Sequence, residues 1–327
     1  MSRHTVTRRQ VLGTAAAFAL VPGSARADDW PKGKPIKAII PFGAGSSTDI
    51  IARLVMDEAS RVLGQTIVCE NRAGASGTIG ANAVAKSDPD GYTILVHSSS
   101  HTVTPSTFTN PPYSAENDFL AVMPLATIPS VVVVNGQRPY KTLKDLVDAA
   151  KAKPGSFNYA SAGAGSATHL TAERLKLAAK IEATHVAFKG SSEALTEIIA
   201  DRLDYYCSPV NAAIGFIKEG RLKGLAVSSS KRSSALPDLP TTVEAGFPDS
   251  GYEFWVGAFL PKQTPAAVRD RLHAALVKSL EADAIKAKFK ELGAETLPIQ
   301  PAEFEAMVKK EIVANAEVVK AAGIKAN

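Results

Sequence analysis

Ile36-Lys37-Ala38-Ile39-Ile40-Pro41-Phe42-Gly43-Ala44-Gly45-Ser46-Ser47-Thr48-Asp49 decides how this chain folds. The short apolar run Ile36–Ile40 reads as a buried strand, and the glycine-serine turn ends it. A helix follows at once, because Ile50, Ile51, Leu54, Val55, Val62 and Leu63 recur at helical spacing. Gly64 stands where a C-cap glycine belongs. The middle of the chain repeats the arrangement. Phe157–Ala160 is strand-like, Ser161-Ala162-Gly163-Ala164-Gly165-Ser166-Ala167-Thr168-His169 is a second such turn, and Leu170–Ala179 is helical.

Working outward, strand and helix signals alternate, which marks an α/β protein. Further strands are expected at Thr66–Glu70, Tyr92–His97, Val131–Val134, His185–Phe188, Asp204–Ser208 and Lys223–Val227. Helices are expected over Leu143–Ala152, from Pro265 to a stop near Gly293, and from Pro301 to Ala321. No tandem repeat, low-complexity tract or long flexible linker interrupts the pattern, which suits two lobes sharing crossing segments.

The N-terminus reads as a cleaved export signal, residues 1–27. Arg3, Arg8 and Arg9 precede an apolar stretch, Val11–Val21, and a small-x-small site, Ala25-Arg26-Ala27. Thr7-Arg8-Arg9-Gln10-Val11-Leu12 also fits a twin-arginine signal. The mature chain is expected to begin at Asp28 and work in the periplasm, without ATP and with little reduced nicotinamide.

Charge must be judged on that mature chain. The signal holds four of the 37 basic residues and none of the 32 acids, leaving 33 against 32. The formal +5 of the whole chain is thus no sign of nucleic-acid binding. Cys69 and Cys207 lie in separate strand-like runs, and two buried free thiols are expected.

The paired turns carry the main chemical signal. The first turn of an α-helix leaves N–H groups without intrahelical partners, and the helix dipole adds partial positive charge there. Glycine allows close approach, and Ser and Thr hydroxyls add donors, so each turn suits a carboxylate. Two turns facing one cleft could hold both ends of a dicarboxylate or clamp one carboxylate. Ordinary strand-helix turns remain the plainer alternative, since Gly and Ser are common in them.

Other motifs are incomplete. Gly43-x-Gly45-x-x-Thr48 lacks the third glycine of a dinucleotide fingerprint and the Gly-Lys-Ser/Thr ending of a P-loop. There is no Gly-x-Ser-x-Gly elbow and no His-Glu-x-x-His. His97 and His101 are four apart but straddle a strand end, so no metal site, cofactor or catalytic set is expected. A Ser166–His169 hydrolase pair has no evident orienting acid.

Several stretches together resemble the Bordetella uptake gene family, the solute-binding receptors of tripartite tricarboxylate transporters. They are Pro35–Asp49 with Ala52-Arg53, Glu70–Gly77, Ala85–Tyr92, Tyr159–Gly163, Leu225–Ser228 with Lys231-Arg232, and Leu236–Thr241. The likeness runs in order through the mature chain. It implies a type II periplasmic binding protein: two α/β lobes with a ligand cleft between them. The discontinuous lobe I would be 28–126 plus 229–327, and lobe II 127–228. It implies capture of a small organic carboxylate and delivery to membrane transporter subunits, with a sensing partner as the alternative. A monomer is the default for this architecture.

Carried onto this chain, the binding residues are Phe42, Gly43, Ala44, Ser46, Ser47 and Thr48 of the first loop. Ser161, Gly163, Ala164, Gly165, Ser166 and His169 come from the second. Ser99 and Ser100, within the polar segment Ser98–Ser100, and Ser208, within Cys207–Asn211, would line the cleft. Two departures bear on ligand choice. Many family members have a third glycine where this chain has Ser46 and Ser47. They also often have Phe-Asp where this chain has Cys207-Ser208, which removes a partner for an amino-acid ammonium.

Overall fold

The computed structural model describes residues 30–325. The expected export segment, residues 1–27, and its expected cleavage site lie outside them. In chain order the elements are β1 (Ile36–Ile40), α1 (Ser47–Leu63), β2 (Ile67–Asn71), a 3-10 turn (Ala75–Gly77), α2 (Thr78–Ala85), β3 (Thr93–Ser98), α3 (Ser100–Thr107) and β4 (Phe119–Asn135). Next come α4 (Leu143–Ala152), β5 (Phe157–Ser161), α5 (Ala167–Ala179), β6 (Ala183–Ala187), α6 (Ser191–Ile199), β7 (Tyr205–Pro209), α7 (Val210–Lys218) and β8 (Leu222–Val227). The chain ends with β9 (Glu253–Pro261), α8 (Ala266–Glu281), α9 (Asp283–Leu292) and α10 (Pro301–Ala322).

The strands follow the order β2-β1-β3-β9-β4-β7-β5-β6, with β8 also on β4. β2, β1 and β3 are parallel, and β9 runs antiparallel to β3. β6, β5 and β7 are parallel, and β4 is antiparallel to β7. β4 serves both groups. Its residues Phe119–Pro129 pair with β9, whereas Ser130–Asn135 pair with β7 and β8. The switch falls at Pro129/Ser130, where Ser228 N–H returns to the Ser130 carbonyl at 2.7 Å.

Local chemistry explains the elements. The parallel strands are covered by helices and read as apolar runs; Ile36, Ala38, Ile39 and Ile40 are all buried. α1 buries Ile51, Val55, Met56 and Ala59 on one stripe. Ser46 caps its start, and Gly64, at φ 64°, closes its end with N–H bonds to the Arg61 and Ser60 carbonyls. One apolar cluster passes through β4 and joins Ile40, Ile94 and Val122 to Val131, Val133 and Tyr206.

The expected helices over 143–152 and 301–321 match α4 and α10 to within a residue. β4 does not match: Val131–Val134 is the end of a strand 17 residues long. Pro124 and Pro129 disguise the rest. A proline removes a ladder donor, and here Pro124 sits at one of two register shifts opposite β9. β9 and α3 had no counterpart in the sequence reading. Both cysteines are free; Cys207 is buried, but Cys69 is only half-buried because β2 is an outer strand.

α10 is pinned by Phe304, fully buried against Trp255 and Phe259 at ring separations of 5.2 and 5.1 Å. Phe304→Ala should therefore cost about 3–5 kcal/mol of stability. Urea unfolding measures it, and a loss below about 1 kcal/mol would show that α10 contributes little to holding the fold.

Candidate functional site

The two glycine-serine turns are built alike. Gly43-Ala44-Gly45-Ser46-Ser47-Thr48-Asp49 and Gly163-Ala164-Gly165-Ser166-Ala167-Thr168-His169 differ at two of seven places. In each, the serine N–H donates to the carbonyl three residues back: Ser46 to Gly43 at 3.1 Å, Ser166 to Gly163 at 3.0 Å. In each, that serine's hydroxyl caps the helix by accepting the N–H three residues on, from Asp49 and from His169, both at 3.3 Å. The second glycine of each sits at positive φ, 72° for Gly45 and 78° for Gly165. Its N–H donates to the side chain four residues on: Asp49 Oδ2 at 2.9 Å, His169 Nδ1 at 3.0 Å.

These bonds leave specific donors over. Ser47 and Thr48 open α1, and Thr168 follows Ala167 at the start of α5. Their N–H groups lie in first turns and have no carbonyl one turn back. The hydroxyls of the caps are used on Asp49 and His169. The Ala167 N–H is taken by Ser100 Oγ, at 2.8 Å, at the start of α3, which follows β3.

Ser46, Ser47, Thr48 and Thr168 meet in one cavity with Phe42, Ser98, Ser100, Ala162, Ser191 and Phe254. The lining has seven hydroxyls and no charged side chain. The space left is about 10 Å³, room for the centre of one water molecule. Beside it the two halves touch: Ser47 Oγ donates to Asn211 Oδ1 at 2.6 Å, and Asn211 Nδ2 donates back to the Ser47 carbonyl at 3.2 Å. A small carboxylate can enter only if these walls part.

Of the residues singled out from sequence, Phe42, Ser46, Ser47, Thr48 and Ser100 line this cavity. Gly43 and Ala44 lie beside it, bonded to the turn before α6: Gly43 N–H to the Lys189 carbonyl at 3.4 Å, Ser192 Oγ to the Ala44 carbonyl at 3.2 Å. Gly163 and Ala164 line a neighbouring groove with Gly74–Gly77. Gly165 faces Thr107, and Ser166 is the α5 cap. Ser99 is buried and its N–H meets the Trp255 carbonyl at 2.9 Å. Ser208 lies in β7, with its hydroxyl on the Pro209 carbonyl at 3.1 Å. Ser191 and Phe254 were not singled out. Ser191 opens α6 without a glycine-rich turn of the same form, and Phe254 lies on the unforeseen β9.

His169 and Ser161 belong to a polar layer beneath the second turn. Ser161 Oγ is 2.6 Å from His185 Nε2, and the His169 and His185 rings stack at 3.7 Å. His169 Nδ1 is occupied by the Gly165 N–H, and its Nε2 lies 3.7 Å from Glu173 Oε1. The imidazole therefore has no lone pair free to activate Ser166, and the hydrolase pair has no support in the geometry. Glu173 also accepts Tyr159 OH and, at 2.7 Å, Lys176 Nζ. Burial by itself raises the Glu173 carboxyl, yet the hydrogen bonds from His169, Lys176 and Tyr159 hold it down at about 2. Burial and the neighbouring His169 push His185 down to about 3. The fully buried His97 is held well below the ordinary range by burial and by His101. Among the described residues no cluster of His, Cys, Asp and Glu is arranged to hold a metal ion.

Residues 51–324 match the family described as tripartite tricarboxylate transporter family receptor. A protein of Pseudomonas sp. strain P51, named UPF0065 protein in the tcbD-tcbE intergenic region, is 37% identical over 295 residues, covering 89% of this chain and 87% of that one. Three solved structures share the fold and the α/β architecture. The periplasmic binding protein BugD has TM-score 0.86 and 33% identity, over 89% of this chain and 98% of BugD. Rpa4515 of R. palustris, described with adipate, has TM-score 0.87 and 31% identity, over 91% and 99%. MatC of Rhodopseudomonas palustris, described with bound malate, has TM-score 0.84 and 31% identity, over 87% and 98%.

The Glu173 layer generates a pH prediction. A carboxyl held at about 2, against an ordinary 4.5, adds stability above pH 4.5 that disappears as pH falls through about 2. Glu173→Gln should lower unfolding free energy on the order of 2 kcal/mol at pH 7. That deficit should shrink steadily below pH 4.5. Urea unfolding of both proteins at pH 7 and pH 3 tests this, and an unchanged deficit at pH 3 would mean that the carboxylate charge is not what stabilises the layer.

Proposed function

The chain belongs to the tripartite tricarboxylate transporter receptor family, and we propose that it captures a small organic carboxylate in the cavity between its two turns. Its fold is the two-lobed periplasmic binding protein fold, and it is a binding protein rather than an enzyme. The observation that carries the reading is the donor set. Two serine-capped helix starts, those of α1 and α5, bring first-turn residues, whose N–H groups have no partner one turn back, to one cavity walled by hydroxyls. Donors without a cation recognise an oxyanion by hydrogen bonds and helix dipoles. A cationic ligand would find no charged acceptor on those walls.

In this reading the amides of Ser47, Thr48 and Thr168 hold the carboxylate, and the hydroxyls of Thr48 and of Ser98, the latter turned away from Ser100 Oγ, donate to it as well. Phe42 and Phe254 supply the apolar sides against which the rest of the ligand packs. Lobe I is 28–126 with 229–327, and lobe II is 127–228. The lobes hinge where β4 and the return segment cross, and they part and close around the acid. Export with cleavage after Ala27 places the receptor in the periplasm, where it delivers the acid to membrane transporter subunits. Adipate and malate, the acids of two similar proteins, are the first candidates for the ligand class.

Mature protein, residues 28–327, should be screened by thermal shift against mono-, di- and tricarboxylates and their methyl esters. An acid at 100 times its Kd stabilises the fold by about 2.7 kcal/mol, and its ester should not. For the acid that binds, Thr48→Val and Ser98→Ala should each weaken affinity by about 1 kcal/mol, roughly fivefold. Isothermal titration reads this, and wild-type affinity in both variants would remove the acid from this cavity.

A further inference from the structure

The sheet order ranks every loop by its distance from the crossing strand β4. β2 and β1 are the outermost strands on one side, and β6 and β5 on the other. Loops after these strands lie farthest from any hinge at β4, yet they touch. The Ser76 hydroxyl donates to the Ala164 carbonyl, a contact between segments 88 residues apart. Gly43 and Ala44 meet Lys189 and Ser192 in the same region. These contacts span a groove of about 310 Å³ lined by Gly74–Gly77 on one side and Ala162–Ala164, Lys189 and Glu193 on the other.

The backbone on the β2 side is unusual. Gly74, Ala75, Ser76 and Gly77 have φ of 132°, 44°, 57° and 96°. Ala75 and Ser76 carry side chains in a region that disfavours them, so the surrounding contacts must hold them there. The opposite wall is shaped to receive them. A Cβ on Gly163 would lie 2.8 Å from Ser76 Oγ and 3.2 Å from Ser76 Cα, and one on Gly165 would lie 2.6 Å from Thr107 Oγ1. A side chain at these two glycines is disfavoured by their own backbone, at φ 134° and 78°, and is blocked in addition by the facing half of the molecule.

We propose that Ser76 is a positioning residue for retention of the bound acid. Its hydroxyl latches the strained Gly74–Gly77 segment onto the Ala164 carbonyl across the mouth of the cleft. The inference rests on the carboxylate-receptor reading for its ligand, although the latch itself is a property of this chain alone. The bond exists only while the two walls are together, so it favours the closed state and slows release. Arrival of ligand occurs with the walls apart, so the association rate is insensitive to it.

The test compares wild type, Ser76→Ala and the control Ser87→Ala, all as residues 28–327. Alanine at 76 keeps the Cβ and removes only the hydroxyl. Release of adipate and of malate is followed by stopped-flow fluorescence, and hydrogen exchange of the amides of 162–167 is measured without any acid. Ser76→Ala should release acid about fivefold faster, with association unchanged. It should also raise exchange in 162–167, a segment joined to residue 76 only across the mouth. Ser87→Ala should shift neither readout.

Wild-type release and exchange in Ser76→Ala would overturn the latch, as would a fall in association that matches the rise in release. If neither acid binds the wild-type protein, the carboxylate reading loses its first two probes. The exchange arm still decides the latch: faster exchange supports it and unchanged exchange overturns it.

Discussion

A helix cannot satisfy the N–H groups of its own first turn. This molecule brings two such turns to one cavity, and the rest of the structure holds them there. Ser46 and Ser166 cap the third amide of each helix, Gly45 and Gly165 bend the chain sharply enough to start it, and Ser100 takes the Ala167 N–H from the opposite side. In the function proposed above, what remains uncapped is what a carboxylate would meet. β4 makes the meeting possible, because one continuous strand belongs to both groups and ties their cores together.

Electrostatics explains why a site with no cation can suit an anion. Carboxylates near the turns are neutralised locally, so their fields are reduced where a ligand charge would sit. Asp49 accepts Gly45 N–H, Arg53 Nε at 2.9 Å and Asn71 Nδ2 at 2.8 Å. Glu173 is surrounded by Lys176, Tyr159 and His169. The same residues fix the turns mechanically: Asp49 and His169 each hold the glycine N–H four residues before them. Local charge balance and loop geometry are thus met by one pair of side chains. The Ser47–Asn211 pair shows what opening would cost: two buried polar side chains bond each other, and separating them would require water to replace that exchange.

Much of this was legible in the sequence wherever the signal was local. α4 carries its own capping box, with Thr142 and Asp145, and a regular apolar stripe. The two turns stand out because Gly-Ala-Gly-Ser repeats between a strand and a helix. Long-range features were not legible. β4 hides its length behind Pro124 and Pro129, and β9 follows no helix that would announce a crossover. Ser191 and Phe254 reach the cavity through strand order, and no motif marks them.

The sequence by itself determined the α/β class, the two oxyanion-type turns and the absence of a complete catalytic motif, because each depends on residues a few positions apart. Family membership was visible as an ordered series of such short stretches. Only the tertiary structure decided which donors stay free, that His169 and Ser161 form a layer beneath the turn, and that Ser76 and Thr107 close against Gly163 and Gly165. The layer joins residues up to 24 apart, and the closures on Gly163 and Gly165 join segments some 60 to 90 residues apart. Such approach is set by strand order and by the switch of partners along β4, which leave no local trace in the chain.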